Sequence, residues 1–80
     1  MEIDAIVNLI ETGLPGCQAV VTGDGRHFEA VVISDQFDGK TPIQKQRMVM
    51  ATVKAQLESD ELHALSIKTY TEEQWKALQG

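Results

Sequence analysis

Apolar residues recur at helical spacing over residues 2–12, and polar residues occupy the positions between them. This period places the apolar side chains on one face of a helix. The residues of that face are Ile3, Ile6, Val7 and Ile10. Gly13 can adopt the left-handed conformation that ends helices, and Pro15 cannot extend one. The pattern therefore predicts an amphipathic helix that stops at Gly13.

Two β-rich runs follow, over residues 18–22 and 28–34. The segment between them, residues 23–27, contains Asp24 followed by Gly25. An Asp-Gly pair between two such runs is a strong hairpin signal, although this loop is longer than a minimal two-residue turn. We expect two antiparallel strands joined by this loop.

A longer helix is indicated after residue 41. Thr41 suits the N-cap, Pro42 the first turn, and Gln44 the position that completes a capping box. The helix is expected to run without interruption to Leu57 or Glu58. Its predicted apolar stripe, with Val49 beside it, consists of Ile43, Met50, Val53 and Leu57.

Residues 63–69 alternate as a third strand should, with Leu65 and Ile67 facing the core. His63 lies in phase with those two apolar residues. A capping box formed by Thr71 and Gln74 then predicts a short final helix. Its expected apolar anchors are Trp75 and Leu78.

The resulting order is α-β-β-α-β-α, which indicates a mixed α/β (α+β) fold with a three-stranded sheet and helices on one face. If the third strand joins the sheet parallel to the second, the helical crossover between them should be right-handed. A chain of 80 residues forms one domain, so we expect a single domain over residues 1–80. Its core is too small for a deep active-site pocket, and a surface that binds partners is the more natural expectation.

Charge and cysteine content narrow the function classes. The chain has 12 acidic and 7 basic residues and a net charge of −5, so as a whole it would repel nucleic acid. The single cysteine, Cys17, excludes an internal disulfide and is expected to be structural. No signal peptide or membrane span is evident, and we expect a cytoplasmic protein. The one basic cluster consists of Lys40, Lys45, Arg47 and Lys54.

The segment from Phe28 to Trp75 resembles the BolA family, most closely its short IbaG-like branch. The matching pieces are His27-Phe28, residues 31–34, 37–40, 44–49, 62–68 and 71–75. The phrase around His63, followed by a Thr-led helix with Trp75, is the most specific. Two positions depart from the family pattern. Residues 45–47 read Lys-Gln-Arg where many members have Arg-His-Arg, and Thr71 is followed by Glu72 instead of proline.

The resemblance implies a KH-like fold and a non-enzymatic role in iron–sulfur cluster trafficking and iron homeostasis. Family members pair with monothiol glutaredoxins and share a [2Fe-2S] cluster with that partner and glutathione. By this resemblance His63 is a cluster ligand, and the hairpin loop supplies His27 as the candidate second ligand. Asp24 is a poorer match because cluster iron prefers softer donors than carboxylate. No cofactor is expected in the isolated chain, which we expect to be monomeric.

Other interpretations stay open on the residues alone. A lone histidine is more often structural than a ligand, and His27 as second ligand is weighed equally against no second ligand. The alternative function is a DNA-binding, stress-responsive regulator that uses the basic cluster. The chain lacks a Gly-x-x-Gly loop with basic flanks, which disfavours that alternative. A metal-free interaction module is the third hypothesis. No catalytic triad or phosphate-cradling motif is present, so we do not expect an enzyme.

Overall fold

A computed structural model describes residues 1–80 and has the predicted element order, with one helix divided in two. A short 3₁₀ turn, Asp35–Phe37, lies between the second strand and the second helix. The helices and strands are α1 (Ile3–Gly13), β1 (Gln18–Gly23), β2 (His27–Ile33), α2 (Pro42–Thr52), α3 (Lys54–Glu58), β3 (Ala64–Tyr70) and α4 (Glu72–Gln79).

The sheet has the order β1-β2-β3, so β2 is its central strand. β1 and β2 form the predicted antiparallel hairpin, with Gln18 opposite Ile33. β2 and β3 are parallel, and His27 is paired with Ala64 at the start of both strands. A parallel pair needs a long crossover, which α2 and α3 provide. The mixed α+β class and the three-stranded sheet are confirmed.

The hydrophobic core lies between one face of the sheet and the helices. Burial alternates along β1, where Ala19 and Val21 are buried and Val20 is 42% exposed. From α1, Ile6 and Ile10 are fully buried, as the helical period predicted. Phe37 of the 3₁₀ turn is also fully buried and fixes the connection that leads out of the sheet. No helix combines the length and apolar composition needed to span a lipid bilayer.

The uninterrupted helix predicted after Thr41 is wrong at Val53. Val53 has φ −120° and ψ 16°, and its N–H donates to the carbonyl of Met50, so α2 ends there and α3 begins at the next residue. Val53 is fully buried, so the bend places its side chain in the core. The capping box of Thr41 and Gln44 is confirmed.

The stripe assigned to this helix is also partly wrong. Ile43 is 64% exposed, whereas Val49 and Val53 are fully buried. Val49 lies six residues after Ile43, and at 3.6 residues per turn the two side chains point about 120° apart around the helix axis. The core-facing stripe is therefore centred on Val49, and Ile43 faces solvent.

Two terminal details differ from expectation. Gly13 is the last residue of α1 and has no positive φ; Gly16, at φ 87°, is the left-handed glycine of this connection. In α4, the capping box of Thr71 and Gln74 is confirmed. Leu78, however, is 64% exposed and anchors nothing. Trp75 packs instead on Tyr70, with ring centroids 5.5 Å apart.

Candidate functional site

The two histidines of the chain lie at the same end of the β2–β3 ladder. His27 is the first residue of β2 and pairs with Ala64, the first residue of β3, so His63 directly precedes its neighbouring strand. Paired strands are about 4.8 Å apart, which places both residues at one edge of the sheet. Both are exposed. The side chain of His63 is therefore open to solvent.

Neither imidazole ring makes a hydrogen bond or an ion pair within the chain. The hydrogen bonds of His27 use only its backbone: its N–H donates to Asp24 Oδ1 at 2.9 Å, and its carbonyl accepts from the Asp24 N–H at 3.2 Å. The side-chain hydrogen bonds and ion pairs of the structure include no atom of either ring. The ring nitrogens are thus available to an external group.

The hairpin loop holds the backbone of His27 through Asp24. Asp24 Oδ1 accepts from the N–H groups of both His27 and Arg26, at 2.9 and 3.0 Å. These two bonds, that of His27 first, lower the pKa of the Asp24 carboxyl. A Cβ atom on Gly23 would come within 2.6 Å of the His27 carbonyl oxygen, so glycine is needed for the loop to close. Asp24 therefore supports the loop, and the Asp-Gly pair signalled this turn in the sequence.

An open depression of about 290 Å³ lies beside the hairpin. It is lined by Thr22, Gly23, Asp24, His27, Phe28, Glu29 and Ser66. Glu29 pairs with Lys68 at 3.5 Å across β2 and β3. His63 does not line the depression. A group that contacts both imidazoles would have to bridge the edge of the sheet, because the two rings do not share this cleft.

The donors of this chain do not complete a metal site by themselves. No three side chains among His, Cys, Asp and Glu converge in a way that could hold a metal ion. Cys17 precedes Gln18, which pairs with Ile33 at the opposite end of the sheet from the histidines. Its Sγ donates to the Ile10 carbonyl at 3.7 Å, and burial, with a smaller effect from Glu11, raises the pKa of the thiol. It is remote from the histidine edge.

The four basic residues considered for nucleic acid divide between surfaces. Lys40 and Arg47 line one groove on α2, and Arg47 and Lys54 line a second that continues onto α3. Lys45 instead lies in a groove with Tyr70 of β3 and residues of α4. The cluster predicted from the sequence is therefore three residues on one surface and one on another.

Residues 12–74 match the protein family described as "BolA-like protein". The chain belongs to the BolA family. It is similar to the acid stress protein IbaG of Escherichia coli K12, with 32% identity over 75 residues that cover 94% of this chain and 89% of that protein. The short IbaG-like resemblance is thereby confirmed.

Two further BolA relatives bear on fold and function. The structure of a BolA homologue from Coxiella burnetii superposes with a TM-score of 0.86 at 39% identity, and the match covers 95% of this chain and 97% of that one. The E. coli protein named as the DNA-binding transcriptional regulator BolA is 38% identical over 60 residues, covering 75% of this chain and 56% of that protein. The two E. coli relatives, IbaG and BolA, are named as a stress protein and a transcriptional regulator, not as enzymes.

Proposed function

We propose that this chain is a non-enzymatic partner of a monothiol glutaredoxin and shares a [2Fe-2S] cluster with it in iron–sulfur cluster trafficking and iron homeostasis. His63 is the proposed ligand and His27 the candidate second ligand. One observation carries the proposal: two exposed imidazoles, with no partner inside the chain, lie at adjoining ends of two hydrogen-bonded strands. The cluster is cargo of the complex.

The donor chemistry supports this assignment. Imidazole nitrogen is a competent ligand for iron, and replacing thiolate by imidazole raises the reduction potential of a cluster. A [2Fe-2S] cluster needs four ligands, and this chain offers no thiol near the histidine edge. Thiolates from the glutaredoxin and glutathione would complete the set. Asp24 is the weaker donor, because its Oδ1 already accepts two backbone N–H groups.

The surface also suits an adaptor better than an enzyme. The depressions on the molecule are open and shallow, and the largest near the histidine edge is about 290 Å³. In the depression beside the hairpin, neither the Thr22 nor the Ser66 hydroxyl is hydrogen-bonded to the His27 imidazole, whereas nucleophilic catalysis requires a nucleophile within hydrogen-bond reach of its base. The reducing cytoplasm, where thiolates persist, is the compartment in which such sharing would operate.

The direct test mixes this protein with a monothiol glutaredoxin, glutathione, ferrous iron and sulfide without oxygen. A heterodimer should form, with a visible absorption and circular-dichroism spectrum different from that of the glutaredoxin homodimer. His63→Ala should abolish the altered spectrum, and His27→Ala should change it if His27 is the second ligand. Arg26→Ala, an exposed change beside His27, is the matched control and should leave the spectrum unchanged.

The affinity of the two proteins for each other without iron distinguishes the loss of a cluster ligand from the loss of heterodimer formation. Titration calorimetry without iron should give the same affinity for the wild type and His63→Ala. An unchanged spectrum for His63→Ala would refute its ligand role. A heterodimer that forms equally well with a chelator, and takes up no iron, would favour the metal-free interaction module.

DNA binding is the second candidate function, favoured by the relative named as a DNA-binding regulator and by the basic residues of α2 and α3. It predicts affinity for duplex DNA that falls steeply with salt. Simultaneous replacement by Gln of Lys40, Arg47 and Lys54, which share one surface, should then remove binding. Affinity that is unaffected by this triple change would exclude the basic cluster as a DNA-binding surface.

A further inference from the structure

Charge is segregated along the chain onto α2 and α3. Residues 40–58, which run from Lys40 to the end of α3, contain four of the seven basic residues and one of the twelve acidic residues, Glu58. The rest of the protein therefore carries eleven acidic residues against three basic ones. Such segregation produces a positive surface on an otherwise negative molecule, which attracts an acidic partner and orients it during encounter.

This positive surface has an apolar floor. A groove of about 330 Å³ runs along α2 and α3, and we call it the α2–α3 groove. Its lining residues are Arg47, Met50, Ala51, Lys54, Leu57 and Glu58. Within α2, Arg47, Met50 and Ala51 lie on one helix face, and Lys54, Leu57 and Glu58 of α3 line the same groove beyond the break at Val53. Apolar side chains lie between the two cations.

We propose that the α2–α3 groove binds an acidic amphipathic helix of a partner protein. Apolar residues of that helix would cover Met50, Ala51 and Leu57, and its flanking carboxylates would pair with Arg47 and Lys54. Residues 47–52 of α2 and 54–58 of α3 each contribute about one and a half helical turns to the groove, so a docked helix of a few turns can lie along it. In helix-in-groove recognition the docked helix presents apolar residues at i, i+3, i+4 and i+7, which is the pattern that the partner helix would use here.

The ion pair already present in the groove does not prevent Lys54 from pairing with a carboxylate of the partner. Lys54 Nζ lies 3.9 Å from Glu58 Oε1, and both side chains are largely exposed. An exposed pair of this kind contributes little to stability. Lys54 can therefore turn to a carboxylate of the partner, and Glu58 can remain at the solvent-exposed end of the groove.

An acidic helix fits the surface better than nucleic acid does. A phosphate backbone would leave the apolar floor formed by Met50 and Leu57 uncovered. DNA also carries one charge per about 1.7 Å and would be repelled by the excess of acidic residues elsewhere on the molecule. A short helix brings fewer charges and supplies apolar side chains. The groove contains neither His27 nor His63, so this proposal is independent of cluster sharing.

The probe is a fluorescein-labelled helical peptide of about 14 residues, with Leu on one face and Glu on both flanks. Fluorescence anisotropy should detect binding that weakens with salt. Amide NMR spectra of the wild type should show the largest shifts in residues 47–58. Equal affinity for a peptide of the same length with Ser in place of Leu would overturn the proposal, because charge alone would then explain binding.

The decisive variant is Ala51→Glu, which places a carboxylate in the groove at an exposed position. The matched control is Ala55→Glu, an exposed change on α3 at a position outside the groove. We expect the dissociation constant to rise about tenfold for Ala51→Glu and to change less than about twofold for Ala55→Glu. Equal effects of the two changes would refute the assignment to the groove.

Loss of charge gives a second comparison that does not depend on the fold of Ala51→Glu. The double change Arg47→Gln and Lys54→Gln should weaken peptide binding, whereas Lys68→Gln and Lys76→Gln, with the same net charge, should not. The absence of peptide binding by the wild type would overturn the proposal. Tighter binding of a DNA duplex than of the peptide, with shifts in the same residues, would assign the groove to nucleic acid instead.

Discussion

Replacement of Gly13 by Ala should destabilise the protein, although alanine is the better helix former. Gly13 ends α1, and a Cβ atom built there would lie 2.6 Å from Thr52 Cγ2 and 2.9 Å from Thr52 Cβ. Carbon atoms in contact are normally about 3.5–4.0 Å apart, so α1 would have to move away from α2 by about 1 Å. Thr52 cannot easily rotate, because its Oγ1 donates to the Val49 carbonyl at 2.6 Å.

The expected change in the free energy of unfolding is the balance of two opposing effects. Overpacking typically costs about 1–3 kcal/mol. Removing a glycine from a helix returns about 0.5–1 kcal/mol. We therefore expect Gly13→Ala to lower the free energy of unfolding by about 1 kcal/mol, the difference between the mid-range values of the two effects. An 80-residue domain has only about 4–12 kcal/mol in total, so this loss should be readily measurable.

Urea unfolding of a double-mutant cycle with Thr52→Ser tests the contact itself. Serine keeps the hydroxyl that bonds to Val49 and deletes the methyl group that lies closest to the new Cβ. Gly13→Ala should therefore cost less in the Thr52→Ser background, with a coupling of at least about 0.5 kcal/mol. The 2.9 Å approach to Thr52 Cβ has its counterpart at the serine Cβ, so the rescue should be partial.

Gly16→Ala is the matched control. Gly16 has φ 87° and no atom within 4 Å of a built Cβ, so alanine there introduces backbone strain without a clash. Its destabilisation should be the same with and without the Thr52→Ser change. The reasoning is refuted if Gly13→Ala is as stable as the wild type, or if Thr52→Ser leaves its effect unchanged.

Three shorter predictions concern ionisation and packing. Carbon-13 NMR should show that the Asp24 carboxyl has a pKa below its ordinary value of 3.8. The hairpin loop should therefore be fully ordered above pH 3.8 and should lose order as the pH falls through the lowered pKa. A titration midpoint above pH 3.8 would contradict this prediction. Because Glu11 helps to raise the pKa of the Cys17 thiol, Glu11→Gln should speed its alkylation by iodoacetamide at fixed pH, and no change would contradict that cause. In thermal unfolding, Val49→Ala should cost about 2 kcal/mol and Ile43→Ala less than about 0.5 kcal/mol, and similar losses would refute the revised stripe.

Features encoded by neighbouring residues could be predicted from the sequence. The capping boxes at Thr41 and Thr71 join residues three apart, and both form as expected. The hairpin follows from the Asp-Gly signal between two β-rich runs, and its loop is closed by Asp24. The two buried isoleucines of α1 follow from periodicity alone. In each case the interaction that determines the structure lies within a few residues of the signal.

Features decided by tertiary contact could not be predicted in the same way. The bend at Val53 places that side chain in the core, and residues 43–58 contain no proline or glycine that would predict a break in the helix. The local pattern indicates Gly13 only as a helix stop, because its packing partner, Thr52, is distant in the sequence. The groove on α2 and α3 depends on the same bend. His27 lines the depression beside the hairpin and His63 does not, and this difference likewise depends on strand pairing that no local signal specifies.

The position of the histidine edge follows from how the core packs. Phe28, next to His27, is paired in the ladder with Leu65, two residues after His63, and both apolar side chains pack against the core. Shifting β3 by one residue would turn Leu65 toward solvent, which the burial of apolar surface opposes. The register that buries these two side chains is therefore the one that brings the two imidazoles to adjoining strand ends. Mutations that loosen this pair should disturb the histidine edge without altering either histidine.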